Sequence, residues 1–315
     1  MGKEAEQKNW QRRNIEAIEQ RLFWLQKEPE GIIFSNTCSI HLVTVKKVKN
    51  WLLFSLLERV AGTQDWTQSI LNLNDPLNLA LAYTQAMMLG LIWNSEPKKI
   101  YSAGFGGGSI PLVLHHYFPE AAIECAEIDS LTVEVAEKFF GIKLDERLQV
   151  IIADAREYLE LQKSAIKYDL ILIDVAFGNG YIPCSFATEE FYQLCRDRLS
   201  PEGVIVVNTL RQHGFEGENI KTINSVFAEV YVCRLPVGNN IIIATNNPPL
   251  TSEDIVRKAQ LLEEERGFAF PFIDRAYELV KAEYFVNINF EEVAILRDDS
   301  IPGSYFNSWL FDIHP

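Results

Sequence analysis

The chain has 315 residues, 48% hydrophobic and 23% charged, enough to bury one large core or two smaller ones. Its formal net charge of -14 leaves no basic surplus to neutralise phosphates, which argues against nucleic acid as a partner. Five scattered cysteines without a C-x-x-C pair argue against a zinc cluster or a disulfide framework and fit a reducing compartment.

The opening MGKEAEQKNWQRRNIEAIEQ is polar and mixed in charge, unlike a secretory signal. Residues 3 to 28 carry Ile15, Ile18, Leu22 and Leu25 at helical spacing and predict a first helix. From Gly31 to about Asn74, GIIFS, IHLVTVKKV, WLLFSLL and TQSILNLN are short, β-branched or aromatic, and separated by polar breaks. They predict a small antiparallel β unit, closed by Asp75-Pro76. PLNLALAYTQAMMLGLIW then reads as a helix with a mostly apolar face. It is too interrupted to span a bilayer, as WLLFSLL is too short, so a cytoplasmic protein with no membrane partner is expected.

From Lys98 strands and helices alternate. KKIYSAGFG is a strand running into glycines, SIPLVLHHYF a helix, AAIECAEID a strand and LTVEVAEKFFG a helix. LQVIIADA, YDLILIDVAF and PEGVIVVNTL supply three further strands, with AREYLELQK and TEEFYQLCRDRLS as helices. VFAEVYVCRL and NNIIIATN complete the set. This rhythm predicts an α/β fold with a doubly wound, Rossmann-like, seven-stranded and mostly parallel sheet. Two helices near 252–266 and 271–283 and an acidic tail follow. The predicted organisation is a helix and β unit over 1–75, a ligand-binding α/β domain over 76–248, and a helical extension over 249–315 packed on it.

In such a sheet ligands bind beyond the carboxyl ends of the strands, where YSAGFGGGS ends the first strand. Four glycines in five positions sacrifice packing, which requires a tight turn or a close ligand. The dinucleotide pattern G-x-G-x-x-G fails, because its third glycine falls on Ser109. The shorter G-x-G-x-G of nucleoside-sulfonium enzymes fits Gly104, Gly106 and Gly108. Glu127 ends the next strand, where a carboxylate can accept from both ribose hydroxyls, with Asp129 just beyond it. Asp154-Ala155 ends the third strand, placing an acceptor for an adenine amino group beside a small residue that leaves room for the ring. Asp174 ends the fourth, facing the reacting end of the ligand, and is the candidate catalytic residue.

The runs AGFGGGSIPLVL, AEIDSLTVEVAEKFFG, ADAREYL, YDLILIDVAF and LSPEGVIVVN resemble the polyamine aminopropyltransferase (spermidine synthase) family, closest to its methyltransferase-like branch. The resemblance places Gln68 against the tail of the nucleoside ligand and gives LRDDSIP the place of the family's acidic near-terminal motif. It implies S-adenosylmethionine or its decarboxylated form as cofactor. Two family carboxylates are missing. Gly107 stands where G-G-G-D-G-G carries aspartate, and in the D-S-S-D stretch Asp174 keeps the first aspartate while Phe177 replaces the second. That second aspartate takes the proton from an attacking amine, and a positioned base is worth about 10²–10⁴-fold.

Three readings stand open. The first is methyl transfer to a small-molecule acceptor, which runs on alignment and desolvation. The second is aminopropyl transfer through another carboxylate, and the third a non-catalytic nucleoside-binding or assembly protein. Tyr83, Phe177 and Tyr181 are candidate acceptor-pocket residues, with core or loop packing the competing reading. Cys184 and the pair His115-His116 have no partners in sequence for nucleophilic or metal chemistry, and no metal is expected. Asp298-Asp299 either cap a substrate path or solvate the tail, and the terminal WLFDIHP leaves a homodimer open.

Overall fold

A computed structural model describes residues 2–37, 41–58, 66–175, 182–211, 215–236, 238–285 and 289–302. The apolar stripe of the first helix, α1 (Gly2–Leu22), is its buried face, with Ile18 and Leu22 almost wholly enclosed. The predicted continuation to residue 28 tightens instead into a 3-10 turn over Phe23–Lys27. Lys47 explains the stop: its ammonium donates to the carbonyls of Gln26 and Glu28 at 3.0 and 2.6 Å, pulling the chain out of α-helical register onto the β unit.

The four segments predicted as a β unit form β1 (Gly31–Thr37), β2 (His41–Val48), β3 (Trp51–Glu58) and β4 (Trp66–Asn72), an antiparallel sheet in that order. The next predicted helix is shorter than its apolar pattern. Only α2 (Ala82–Met87) is α-helical, and 3-10 turns continue over Met88–Ile92. This segment is buried on all sides, and Gly90 lies so close to Val206 and Leu170 that a Cβ would stand 2.6 and 2.9 Å from them. A wider helix would not fit against the sheet.

The main sheet is built from β5 (Lys99–Ala103), β6 (Ala122–Glu127), β7 (Leu148–Ile152), β8 (Tyr168–Ile173), β9 (Leu199–Leu210), β10 (Glu229–Arg234), β11 (Asn239–Thr245) and β12 (Leu279–Lys281). Its order is β12-β10-β11-β9-β8-β5-β6-β7. The five strands from β7 to β9 are parallel, and β11, β10 and β12 add antiparallel to the far side. The strand order reverses beside β5, which pairs with both β6 and β8. That reversal opens a crevice at the carboxyl ends.

The connecting helices are α3 (Ser109–Tyr117), α4 (Ser130–Phe139), α5 (Ala155–Leu161), α6 (Glu189–Arg198) and α7 (Glu216–Asn224). Successive strand residues bury against opposite layers, as the two-residue period of a strand demands. Leu170, Leu172, Val204 and Val206 join the core under α1, α3, α4 and the β unit. Ile171, Ile173, Ile205 and Val207 join the core under α5, α6 and α7. The near-continuous apolar runs of β8 and β9 are the signature of strands covered on both faces.

Among the described residues the main sheet has eight strands against the seven predicted. After α8 (Ser252–Arg266), the segment predicted helical to residue 283 holds only α9 (Phe272–Ala276) before turning into β12. β12 pairs antiparallel with three residues of β10, satisfying an edge that would otherwise be open. Among the described residues no helix is long and apolar enough to cross a membrane.

Candidate active site

The glycines close the gap between two sheets. Gly104, at φ +89, follows β5, and a Cβ there would stand 2.3 Å from the carbonyl oxygen of Asp174 after β8. Only glycine lets the two strand ends approach this closely. Gly106 and Gly108 also have positive φ, and Gly108 is the left-handed cap residue that starts α3. Gly107 does not face the crevice. Its N–H donates to the Ser69 hydroxyl of β4 at 2.9 Å, and a Cβ there would lie 2.7 Å from Ser69 Cβ and 3.1 Å from the Phe140 ring. The glycine turn is therefore seated on the N-terminal β unit.

A cavity of about 560 Å³ opens at the carboxyl ends of the parallel strands. Its floor includes Gly104, Gly106, Glu127, Asp129, Asp154, Ala155 and Asp174, and Gln68 and Tyr83 also line it. The structure thus brings together nine of the residues singled out in the sequence. Gly108 stands outside this wall, packed against Ile142 and the Phe105 ring. Phe177 and Tyr181 lie outside the described residues.

The carboxylates at the strand ends do different work. Glu127 accepts from the backbone N–H of Asp129 at 3.1 Å, Phe105 at 3.2 Å and Gly106 at 3.4 Å, so it ties the glycine turn to β6. Burial nevertheless raises its pKa, against the lowering by those three donors. Asp129 caps α4 through the Leu131 N–H, and Asp154 caps α5, its Oδ1 accepting from Arg156 and Glu157. Capping engages one oxygen of each and leaves both residues on the cavity floor.

Asp174 is half-buried, like the other acids at the strand ends. Burial pushes it up to about 6, while a hydrogen bond donated by Asn208 Nδ2 at 2.8 Å acts the other way. Asn208 is itself oriented by Asn239, whose Nδ2 donates to its Oδ1 at 2.8 Å. The Tyr83 hydroxyl donates to the Gln68 carbonyl at 3.2 Å, and burial followed by the charge of Asp174 drives its pKa well up, so it stays protonated. Asn208, near the carboxyl end of β9, and Asn239, the first residue of β11, were not singled out in the sequence. Ser109 also lines the cavity, and its buried hydroxyl has no hydrogen-bond partner among the described residues.

Outside the cavity, the free thiols of Cys125, Cys195 and Cys233 are buried, and burial raises all three. Cys184 is raised too, so none has the depressed pKa of a nucleophile. His115 and His116 are buried packing residues. His116 hydrogen-bonds Asn14 of α1 at 3.1 Å, and His115 contacts Asp145 and Arg147 at 3.1 and 2.8 Å. Among the described residues no group of three His, Cys, Asp or Glu side chains is placed to hold a metal ion.

A doubly wound sheet whose crevice is floored by a glycine turn and strand-end carboxylates places the chain among Rossmann-like methyltransferase folds. More narrowly, it belongs to the family of the spermine/spermidine synthase domain, whose model matches residues 81–239. It is 34% identical over 215 residues to a polyamine aminopropyltransferase of Chromobacterium violaceum, covering 66% of this chain and 81% of that protein. It is 31% identical over 209 residues to the human eEF1A lysine and N-terminal methyltransferase, covering 60% of this chain and 30% of that protein. The crystal structure of human methyltransferase-like protein 13 in complex with SAH aligns with a TM-score of 0.56 at 29% identity, covering 60% of this chain and 93% of that one. The relatives named are transferases.

Proposed function

We propose that the chain binds S-adenosylmethionine in the glycine cavity and transfers its methyl group to a small-molecule acceptor. The observation that carries this reading is the seat of Gly107. Family members that move aminopropyl groups hold the amine end of their cofactor with an aspartate in this turn. Here a side chain at 107 collides with Ser69 and Phe140. Phe177 in place of the second family aspartate points the same way.

The residues present suit the cofactor. The cavity volume lies within the ~300–1,000 Å³ range of small-molecule sites. Glu127 accepts from a ribose hydroxyl by yielding its two long bonds to Phe105 and Gly106, which couples binding to the glycine turn. Asp154 has its Oδ1 committed to the helix cap, so Oδ2 takes the adenine amino group. The buried Ser109 hydroxyl gains the partner it lacks. The cofactor supplies an electrophilic methyl on a sulfonium, and the transfer is a displacement at carbon.

The protein's part is then to orient and desolvate. Asp174, held by Asn208 and Asn239, presents a carboxylate that titrates at about 6. Above that value it accepts a hydrogen bond or a proton from the acceptor, while Tyr83 stays neutral with its O–H committed to the Gln68 carbonyl. Aminopropyl transfer remains the second reading, favoured by the 34% identity to an aminopropyltransferase.

Incubation of the protein and a cell extract with methyl-labelled S-adenosylmethionine tests the proposal. Label is expected in a low-molecular-weight product. Label in protein alone would overturn the small-molecule acceptor, and turnover only with the decarboxylated cofactor and a polyamine would overturn methyl transfer.

A further inference from the structure

We infer that Asp298 is a positioning residue which, through Arg156, holds residues 183–188 against the cofactor cavity. The acidic near-terminal motif thereby completes a site laid down 142 residues earlier in the chain. The inference rests on the cavity being the cofactor site proposed above.

Arg156 is the junction. It follows Asp154 and Ala155 of the cavity floor, and its own N–H is one of the two that Asp154 caps. Its guanidinium donates to the Ser185 carbonyl at 2.9 Å and forks onto Asp298, Nη1 to Oδ1 at 2.8 Å and Nη2 to Oδ2 at 2.5 Å. Pro183, Ser185 and Phe186 belong to the cavity wall. One side chain therefore joins the floor, the wall and the tail. Asp298 also accepts from the Thr188 hydroxyl at 2.7 Å, and Thr188 is the N-cap of α6.

The tail is anchored independently of the cavity. The Leu296 N–H donates to the Thr222 hydroxyl of α7 at 2.9 Å, and its carbonyl accepts from the Glu189 N–H at 2.8 Å. The Asp298 N–H donates to the Glu190 carboxylate at 3.0 Å, and Arg297 pairs with Glu189. Leu296 is 1% exposed and packs with Ala187. A carboxylate fixed on this frame fixes the guanidinium, because a two-point fork constrains orientation as well as distance. Arg156 in turn fixes the wall. Paired with Arg156, the Asp298 carboxyl is held below the ordinary carboxylate range, so the fork persists at neutral pH.

The test uses the full chain, S-adenosylhomocysteine as probe, and the variants Asp298→Asn, Arg156→Lys and the double variant. Each single change removes the charged fork and is expected to weaken probe binding about tenfold, with the double variant no weaker than either single one. Hydrogen exchange without probe is expected to quicken at residues 184–190 in both single variants and to stay unchanged in β5 and α3. Unchanged affinity and unchanged exchange would overturn the proposal. So would exchange that quickens uniformly with a fall in melting temperature, since that marks a merely structural tie. If the wild type does not bind the probe while exchange still quickens only at 184–190, the cofactor reading fails and the positioning of the wall stands.

Discussion

Asp174 is a half-buried acid that the fold holds in an unfavourable ionisation state. Its native value of about 6 lies above the ordinary value of 3.8, so the native state binds the proton more tightly than the unfolded chain. Stability is therefore lowered above pH 6 and recovers as pH falls toward 4. Asp174→Asn keeps the shape and an acceptor for Asn208 while removing the charge. It is expected to stabilise the ligand-free protein by up to ~3 kcal/mol at pH 8, with roughly half of that gain left at pH 5, and to abolish turnover. Urea denaturation at the two pH values checks this, and equal or lower stability at pH 8 would contradict it. At this scale much of the site was legible in the sequence. Glu127, Asp154 and Asp174 are acidic and lie at or just beyond strand ends, and all three line the cavity floor. Asn208 lies close to the carboxyl end of β9, but an amide carries no charge to draw notice. Ser69 was invisible because its role depends on how two separate sheets meet.

Among the elements, the turn from β5 into α3 depends on β4. Gly107→Ala places a methyl group against Ser69 and Phe140, in a seat with no free volume. The expected cost is about 1–3 kcal/mol. Ser69→Gly in the same chain removes the Cβ that is struck, so part of that loss is expected to return, less the hydrogen bond from the Gly107 N–H. Thermal denaturation of the single and double variants measures this, and strictly additive losses would show that the two residues do not share the seat. Element type was legible where a period ran undisturbed, as in the strands of the β unit and in α4, α6 and α8. It failed where tertiary contacts overrode the period. Lys47 draws residues 26–28 out of a helix, and the open edge of β10 draws residues 279–281 into a strand. Neither partner is near in sequence.

For the molecule as a whole, one core runs from α1 and the β unit through α3 and α4 to α8. We propose that the organisation 1–75, 76–248 and 249–315 describes segments of one folding unit. The doubly wound sheet was legible because alternation of strand and helix leaves few topologies open. The shared core was not, since apolar faces do not name their partners. Acid sensitivity is set partly at the contact between α1 and α3. Burial and the neighbouring His115 push His116 down to about 4, so the unfolded chain takes up a proton near pH 6.5 that the folded chain refuses. That contribution is fully present above pH 6.5 and is lost as pH falls toward 4, the opposite sign to Asp174. His116→Gln, which keeps an acceptor for Asn14, is expected to move the acid-unfolding midpoint to lower pH, and an unchanged midpoint would contradict the assignment. The central claim is that bare backbone at the end of β5, with Glu127 beside it, receives an S-adenosyl sulfonium that still carries its carboxylate. Calorimetric titration of the wild type and Glu127→Ala with S-adenosylmethionine and its decarboxylated form measures this directly. The account predicts preference for S-adenosylmethionine and a loss of ~1.5–3 kcal/mol in the variant. Preference for the decarboxylated form, or affinity indifferent to Glu127, would contradict it.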